Sequence, residues 1–219
     1  TTLSWLVKDV LIHGQWPMWT NWGDMGFPLM QFYSPLLFAV VALVNAVIPH
    51  IWIAIKLVFL ALHILSVFAI YLYVQNLTGS KYAGLAAGFA YGFAYYRYHV
   101  IVYVNKFSMV PTFLLWPLQL YLVDMVLVRT GRRRAGIGLA FVTSLALISH
   151  VFFGGYSGIF AAVYGVIRVF ALRETLPTTG EKLLAIRRLA LWFSIGLLSS
   201  LYFTLPPLHW IVKNIIYMS

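Results

Sequence analysis

Five acids, Asp9, Asp24, Asp124, Glu174 and Glu181, are all the carboxylates in the 219 residues, and there is no cysteine. Thiolate catalysis, disulfides and thiolate metal sites are thereby excluded, and a carboxylate base must come from this short set. Glu174 and Glu181 stand among arginines and balance them. Asp124 lies about one turn before Arg129 and is expected to snorkel to the same interface. Asp9 follows Lys8 on an amphipathic stretch and reads as a solvated surface charge. Asp24 differs, because Asn21-Trp22-Gly23-Asp24-Met25-Gly26-Phe27-Pro28 holds it in a Gly- and Trp-rich loop without competing charges. It is the candidate catalytic residue.

Basic groups make a second set. His99 and Arg97 lie in Tyr95-Tyr96-Arg97-Tyr98-His99, Lys106 closes the same loop, and His150 follows Leu147-Ile148-Ser149. Lys56 and His63 are seven residues apart on one helix face, which lets Lys56 reach the interface above His63. Asp24, Lys56, Arg97, His99, Lys106, His150 and His209 gather on one predicted face, where cations outnumber anions. One acid amid basic and aromatic groups at a membrane surface suits an anionic amphiphile such as a lipid-linked phosphate or pyrophosphate. The alternative is an aromatic and basic belt that only anchors the bundle. No pair has a spacing such as His-x-x-x-His, so no tightly bound metal is expected.

The elements that must position these groups follow from composition. Hydrophobic residues make up 62% of the chain and charged ones 9%, against roughly 25% charged in an average soluble domain. No water-soluble coat can be built from that, and the bilayer is the solvent. The net charge of +10 comes from 15 basic residues placed mostly at the ends of apolar runs, the pattern of topology-setting charge and not of nucleic-acid binding. Membrane lipids are the first partner, and nucleic acid is not one.

Residues 1–31 form an external or interfacial segment with an amphipathic helix over Thr2–His13, and 32–219 form a polytopic transmembrane helix bundle. The apolar runs are Ser34–Ile48, Ile51–Gln75, Tyr82–Tyr96, Phe107–Val128, Ala135–Phe153, Gly155–Phe170 and Leu189–Val212. Most approach the roughly 20 residues that cross hydrocarbon. The first, bracketed by Pro35 and Pro49 to about 14, has the length of a re-entrant or interfacial helix. The fold class is thus all-α, with six full spans plus that short helix, or seven spans if it crosses. Arg129–Arg134 and the stretch from Arg168 to Arg188 mark two cytoplasmic loops. Counting back puts Arg97–Lys106 and Pro49-His50 outside; the N-terminal segment is external if the short helix returns and cytoplasmic if it crosses. Gly84, Gly88 and Gly92 make a small-residue ridge that lets another helix approach closely. Pro111, Pro117 and Pro206-Pro207 should kink or end their helices. The absence of an initiator methionine, and the lack of a polar tail after the last apolar run, are what a fragment of a longer protein would show.

Several of these features, in this order, resemble a known family. Gly14-Gln15-Trp16-Pro17-Met18-Trp19, Gly26-Phe27-Pro28 and Phe32-Tyr33-Ser34-Pro35-Leu36 resemble the first external loop of prokaryotic membrane proteins labelled 6-pyruvoyl-tetrahydropterin-synthase-related, which look like GT-C type glycosyltransferases. Thr78-Gly79-Ser80, Trp116-Pro117-Leu118 and Ser149-His150 extend the resemblance over nearly the whole chain. It implies a multi-pass protein of the prokaryotic plasma membrane that transfers a sugar from a polyprenyl-phosphate donor on the external face, and a divalent cation accompanying that donor is compatible with it. It also implies that Asp24 is the general base or metal-organising carboxylate, that Arg97 and Lys106 hold the donor phosphate, and that His150 assists at the pocket wall; Lys56 and His99, from the same predicted face, complete the candidate substrate-binding set. Asp24 stands where the family often has glycine, and the family's acidic motif lies before the position of Thr1. A structural or accessory subunit packed against other membrane subunits is the rival class, supported by the glycine ridge and the scarcity of acids. A transporter fits less well, because charges do not line the midplane and no inverted repeat is visible.

Overall fold

The computed structural model describes residues 35–104, 106–128, 132–172 and 175–218, and among these the protein is all-helical, without strands. Residues 1–31, with Asp24, lie outside the described residues, as do Arg129 and Glu174. The helices are α1 (Pro35–Val47), α2 (Ile51–Thr78), α3 (Lys81–Gly92), the single turn α4 (Tyr95–Tyr98), α5 (Thr112–Val128), α6 (Arg132–Ser149), α7 (Val151–Ala171) and α8 (Thr179–Met218). A π-turn at His99–Tyr103 and a 3-10 turn at Phe107–Met109 connect α4 to α5.

Four helical stretches are long and apolar enough to cross a membrane: Ile51–Thr78, Phe107–Val128, Val151–Ala171 and Thr179–Leu201. The run expected at Tyr82–Tyr96 is helical only to Gly92. The run expected at Ala135–Phe153 begins earlier, on three arginines, and breaks at His150. Pro206-Pro207 does not end α8, which continues to Met218. Large apolar side chains such as Leu60, Ile64 and Phe68 on α2 and Phe160 and Ile167 on α7 point outward, as lipid-facing groups do.

Local chemistry explains the turn between α2 and α3. Gly79, at φ 72°, takes the left-handed position, and its N–H bonds to the Gln75 carbonyl, ending α2; only glycine enters that region without penalty. Ser80 then caps α3 by accepting from the Ala83 N–H at 3.3 Å. Gly84, Gly88 and Gly92 all face α2: a Cβ on Gly84 would meet Tyr71 at 2.9 Å, one on Gly88 the Val67 carbonyl at 3.2 Å, and one on Gly92 a Val67 methyl at 2.9 Å. The glycine ridge is therefore taken up within the chain, in the α2/α3 hairpin. Between helices in lipid, close van der Waals contact of this kind is the main attraction.

A second packing centre joins α5, α6, α7 and α8 around Val123, Leu127, Leu139, Ala161, Val169 and Leu189. The close pairs Gly136 with Trp192 and Gly196 with Ala140 and Thr143 set α6 and α8 parallel. Their first turns share one end of the bundle, and Ser149-His150 lies at the other.

Candidate functional site

The connector from Phe93 to Pro111 carries three of the residues singled out by sequence, and the chain bends because α3 is short. Ending at Gly92 against Val67 and His63, α3 stops about halfway along α2, and α4 turns Arg97 inward, 6% exposed. Its Nη2 donates to Ser66 Oγ at 2.6 Å and its Nη1 to the Tyr91 carbonyl at 3.1 Å. The guanidinium lies 4.7 Å from the Tyr91 ring centre and 5.1 Å from that of Phe113. Ser66 gives its own proton to the His63 carbonyl at 2.7 Å, which leaves its oxygen free to accept from Arg97. Tyr91 in turn donates to the Phe113 carbonyl at 2.6 Å, tying α3 to α5. A charge inside a bundle is costly unless its donors are satisfied; two aromatic faces and two acceptors offset this, while Nε is buried without a partner among the described residues. Arg97, expected at the donor phosphate, has its Nη1 and Nη2 donors turned into the protein, near the middle of α2.

The other basic residues stay accessible. Lys106 is exposed at the start of the 3-10 turn, and Phe107 beside it packs on Phe59 of α2 at 5.7 Å. Lys56, also exposed, lies one turn before Phe59. Ser149 Oγ donates to the Ser108 carbonyl at 3.0 Å and so fastens the end of α6 to the connector. The following His150 caps α7, its Nδ1 accepting from the Phe153 N–H at 3.4 Å, with its ring edge-on to Phe153 at 5.0 Å. Burial pushes the His150 pKa below the usual imidazole value, and the charge of Lys106 pushes it the same way. The imidazole is thereby kept neutral near neutral pH, as its capping role requires. His99 is sandwiched by Tyr103 at 5.5 Å and Tyr95 at 5.7 Å. Lys106 and His150 are thus brought together, with His99 on the same connector and Lys56 on the α2 side.

Two apolar grooves flank the connector. One, of about 300 Å³, lies between α1, α2 and the 3-10 turn and is lined by Leu37, Val41, Trp52, Ile55, Phe59 and Phe107. The other, of about 250 Å³, lies between α5 and α7 and is lined by Tyr96, Met109, Phe113, Trp116, Phe153 and Phe160 among others.

The described acids sit at the opposite end. Asp124, on α5, is fully buried, which corrects the expectation that it snorkels outward. It accepts from Arg168 Nε at 2.9 Å and from the Tyr164 hydroxyl at 2.9 Å, both on α7, and the Tyr73 ring of α2 meets Tyr164 edge-on at 5.8 Å. Glu181 forms a capping box with Thr178: each backbone N–H is bound by the other's side chain, at 3.1 and 3.2 Å. Neither acid is near Lys106 or His150. No group of three or more His, Asp or Glu able to hold a metal occurs among the described residues.

Sequence reasoning missed Ser66 as the partner of Arg97, Arg168 and Tyr164 as partners of Asp124, and the buried bond from Gln119 Nε2 to Thr143 Oγ1 at 3.2 Å. The available signal was a polar group inside an apolar run, which in lipid must find a partner on another helix. No protein-family model, curated protein or solved structure matches the chain.

Proposed function

We propose that this protein takes up a polyprenyl-phosphate-linked sugar at the external end of its helix bundle and transfers the sugar to an acceptor. The observation that carries this is the segregation of charge. Around the connector the charged groups among the described residues are the cations Lys56, Arg97 and Lys106, with the imidazoles of His99 and His150 beside them, whereas the described acids Asp124 and Glu181 are engaged at the far end. A cationic site above lipid-facing aromatic grooves matches a phosphate attached to a long apolar chain. The grooves beside Phe107 and Phe113 would take the first isoprene units.

In this account Lys106 holds the donor phosphate, and Lys56 and His99 approach it from either side. Neutral His150 is a donor through Nε2 while its Nδ1 caps α7. Asp24 removes the acceptor proton as the acceptor oxygen bonds to the anomeric carbon; the bond from that carbon to the phosphate oxygen breaks, and the leaving phosphate is stabilised by Lys106. Arg97 acts as a positioning residue, pinning the connector to α2 and α5. The account includes six crossings by α2, α3 with its connector, α5, α6, α7 and α8, with α1 as a re-entrant hairpin arm. The accessory-subunit reading loses one support, since the glycine ridge already faces α2.

The test uses the full-length protein in vesicles with a radiolabelled polyprenyl-phosphate sugar. Asp24→Asn is expected to lower transfer by about 10²–10⁴-fold while leaving donor binding intact. Undiminished transfer would remove Asp24 from the mechanism, and no transfer by the unaltered protein with any donor sugar would overturn the proposal.

A further inference from the structure

At the end of the bundle remote from Lys106, cations again collect, but the chemistry beneath them differs. Arg133 and Arg134 are exposed in the first turn of α6, which contains no acid. Positive charge there opposes the helix dipole and is unfavourable unless an anion compensates it. Because α8 runs parallel to α6, with Trp192 packed on Gly136, Arg187 and Arg188 stand close to the start of α6. Lys182 completes the group, its Nζ 5.8 Å from the centre of the Phe170 ring of α7.

No described carboxylate forms an ion pair with these charges, although Glu181 lines one cleft with Arg188. Asp124 is fully buried and bound to Arg168 and Tyr164, and Glu181 is held by Thr178 at the start of its own helix. Directly toward the bilayer, the same helices present exposed Ile137, Phe170 and Leu191. A basic ledge over an outward apolar wall is complementary to an anionic head joined to acyl chains, and not to a free anion or an acidic polypeptide, for which the wall would be unused.

We infer that this ledge is a binding site for anionic phospholipid of the leaflet at that end, held by Arg133, Arg134, Arg187, Arg188 and Lys182 through the headgroup phosphate and by the α6, α7 and α8 faces through its chains. The site is separate from the proposed donor site and does not depend on it.

The experiment measures retention of dioleoylphosphatidylglycerol against dioleoylphosphatidylcholine by the full-length protein in detergent, using native mass spectrometry. The unaltered protein is expected to retain phosphatidylglycerol preferentially, and the combined substitutions Arg133→Gln, Arg134→Gln and Arg187→Gln to lower that preference by about 100-fold. The corresponding lysine substitutions should keep it. A titration of the unaltered protein with salt needs no variant to fold, and the preference should fall as ionic strength rises. Equal retention of the two lipids, an unchanged preference in the glutamine variant, insensitivity to salt, or full displacement of the lipid by equimolar inorganic phosphate would each overturn the inference.

Discussion

Replacing Arg168 with methionine will destabilise the bundle by about 3–5 kcal/mol, and Asp124→Asn will cost less, on the order of 1–2 kcal/mol. The asymmetry follows from burial. The Asp124 side chain is completely enclosed, whereas that of Arg168 is 22% exposed. Without Arg168, a carboxylate remains in the packed centre of α5 and α7 with the Tyr164 hydroxyl as its remaining bonded donor in the site. Without the carboxylate charge, Arg168 keeps a polar edge to reach, and an asparagine can still accept from Tyr164. Combining Arg168→Met with Asp124→Leu should recover most of the loss, because an apolar pair needs no desolvation. Equilibrium unfolding in micelles, followed by helical circular dichroism, checks the order. Equal costs for the two single variants, or no recovery in the double, would contradict the placement of the pair.

The second large effect separates two adjacent glycines. Gly154→Ala is expected to cost about 3 kcal/mol, because a Cβ there runs into the backbone of Ala146 and Leu147, where α7 crosses the end of α6. Backbone cannot rotate away as a flexible side chain would, so the two helices must move apart and strain the Ser149–Ser108 bond that fixes the connector. Gly155→Ala meets nothing within 4 Å and should be neutral, or stabilising by up to about 1 kcal/mol through helix propensity. The same unfolding assay compares them, and a Gly155→Ala variant as damaging as Gly154→Ala would show that α6 and α7 do not approach in this way.

The helical, membrane-spanning character was legible because hydrocarbon imposes a length and a composition that few other environments require. Ile51–Gln75 and Phe107–Val128 stand out on that basis, and the Thr78-Gly79-Ser80 turn on its glycine. The stop of α3 at Gly92 was not legible: apolarity continues to Tyr96, and what ends the helix is the way the connector is drawn to the middle of α2. The fate of Arg97 depends on that stop. From sequence it belongs to an aromatic loop beside Lys106; in the fold its bond to Ser66 joins residues 31 apart. Asp124 departs from its expected place for a related reason. Its nearest basic residue in sequence is Arg129, but its partner is Arg168, 44 residues away, and only the adjacency of α5 and α7 brings them together. The pairing of Lys106 with His150 was legible in part, since both flank the same predicted face, although the capping role that fixes His150 needed the break in the helix at Ser149-His150 to be seen.

The most direct measurement is the affinity of the full-length protein, in nanodiscs, for a polyprenyl phosphate and for the polyprenyl alcohol of equal chain length. The account predicts that the phosphate binds at least about tenfold tighter, and that Lys106→Gln removes most of this difference while the alcohol's affinity stays unchanged. Equal affinity for phosphate and alcohol in the unaltered protein would contradict a phosphate site at the connector.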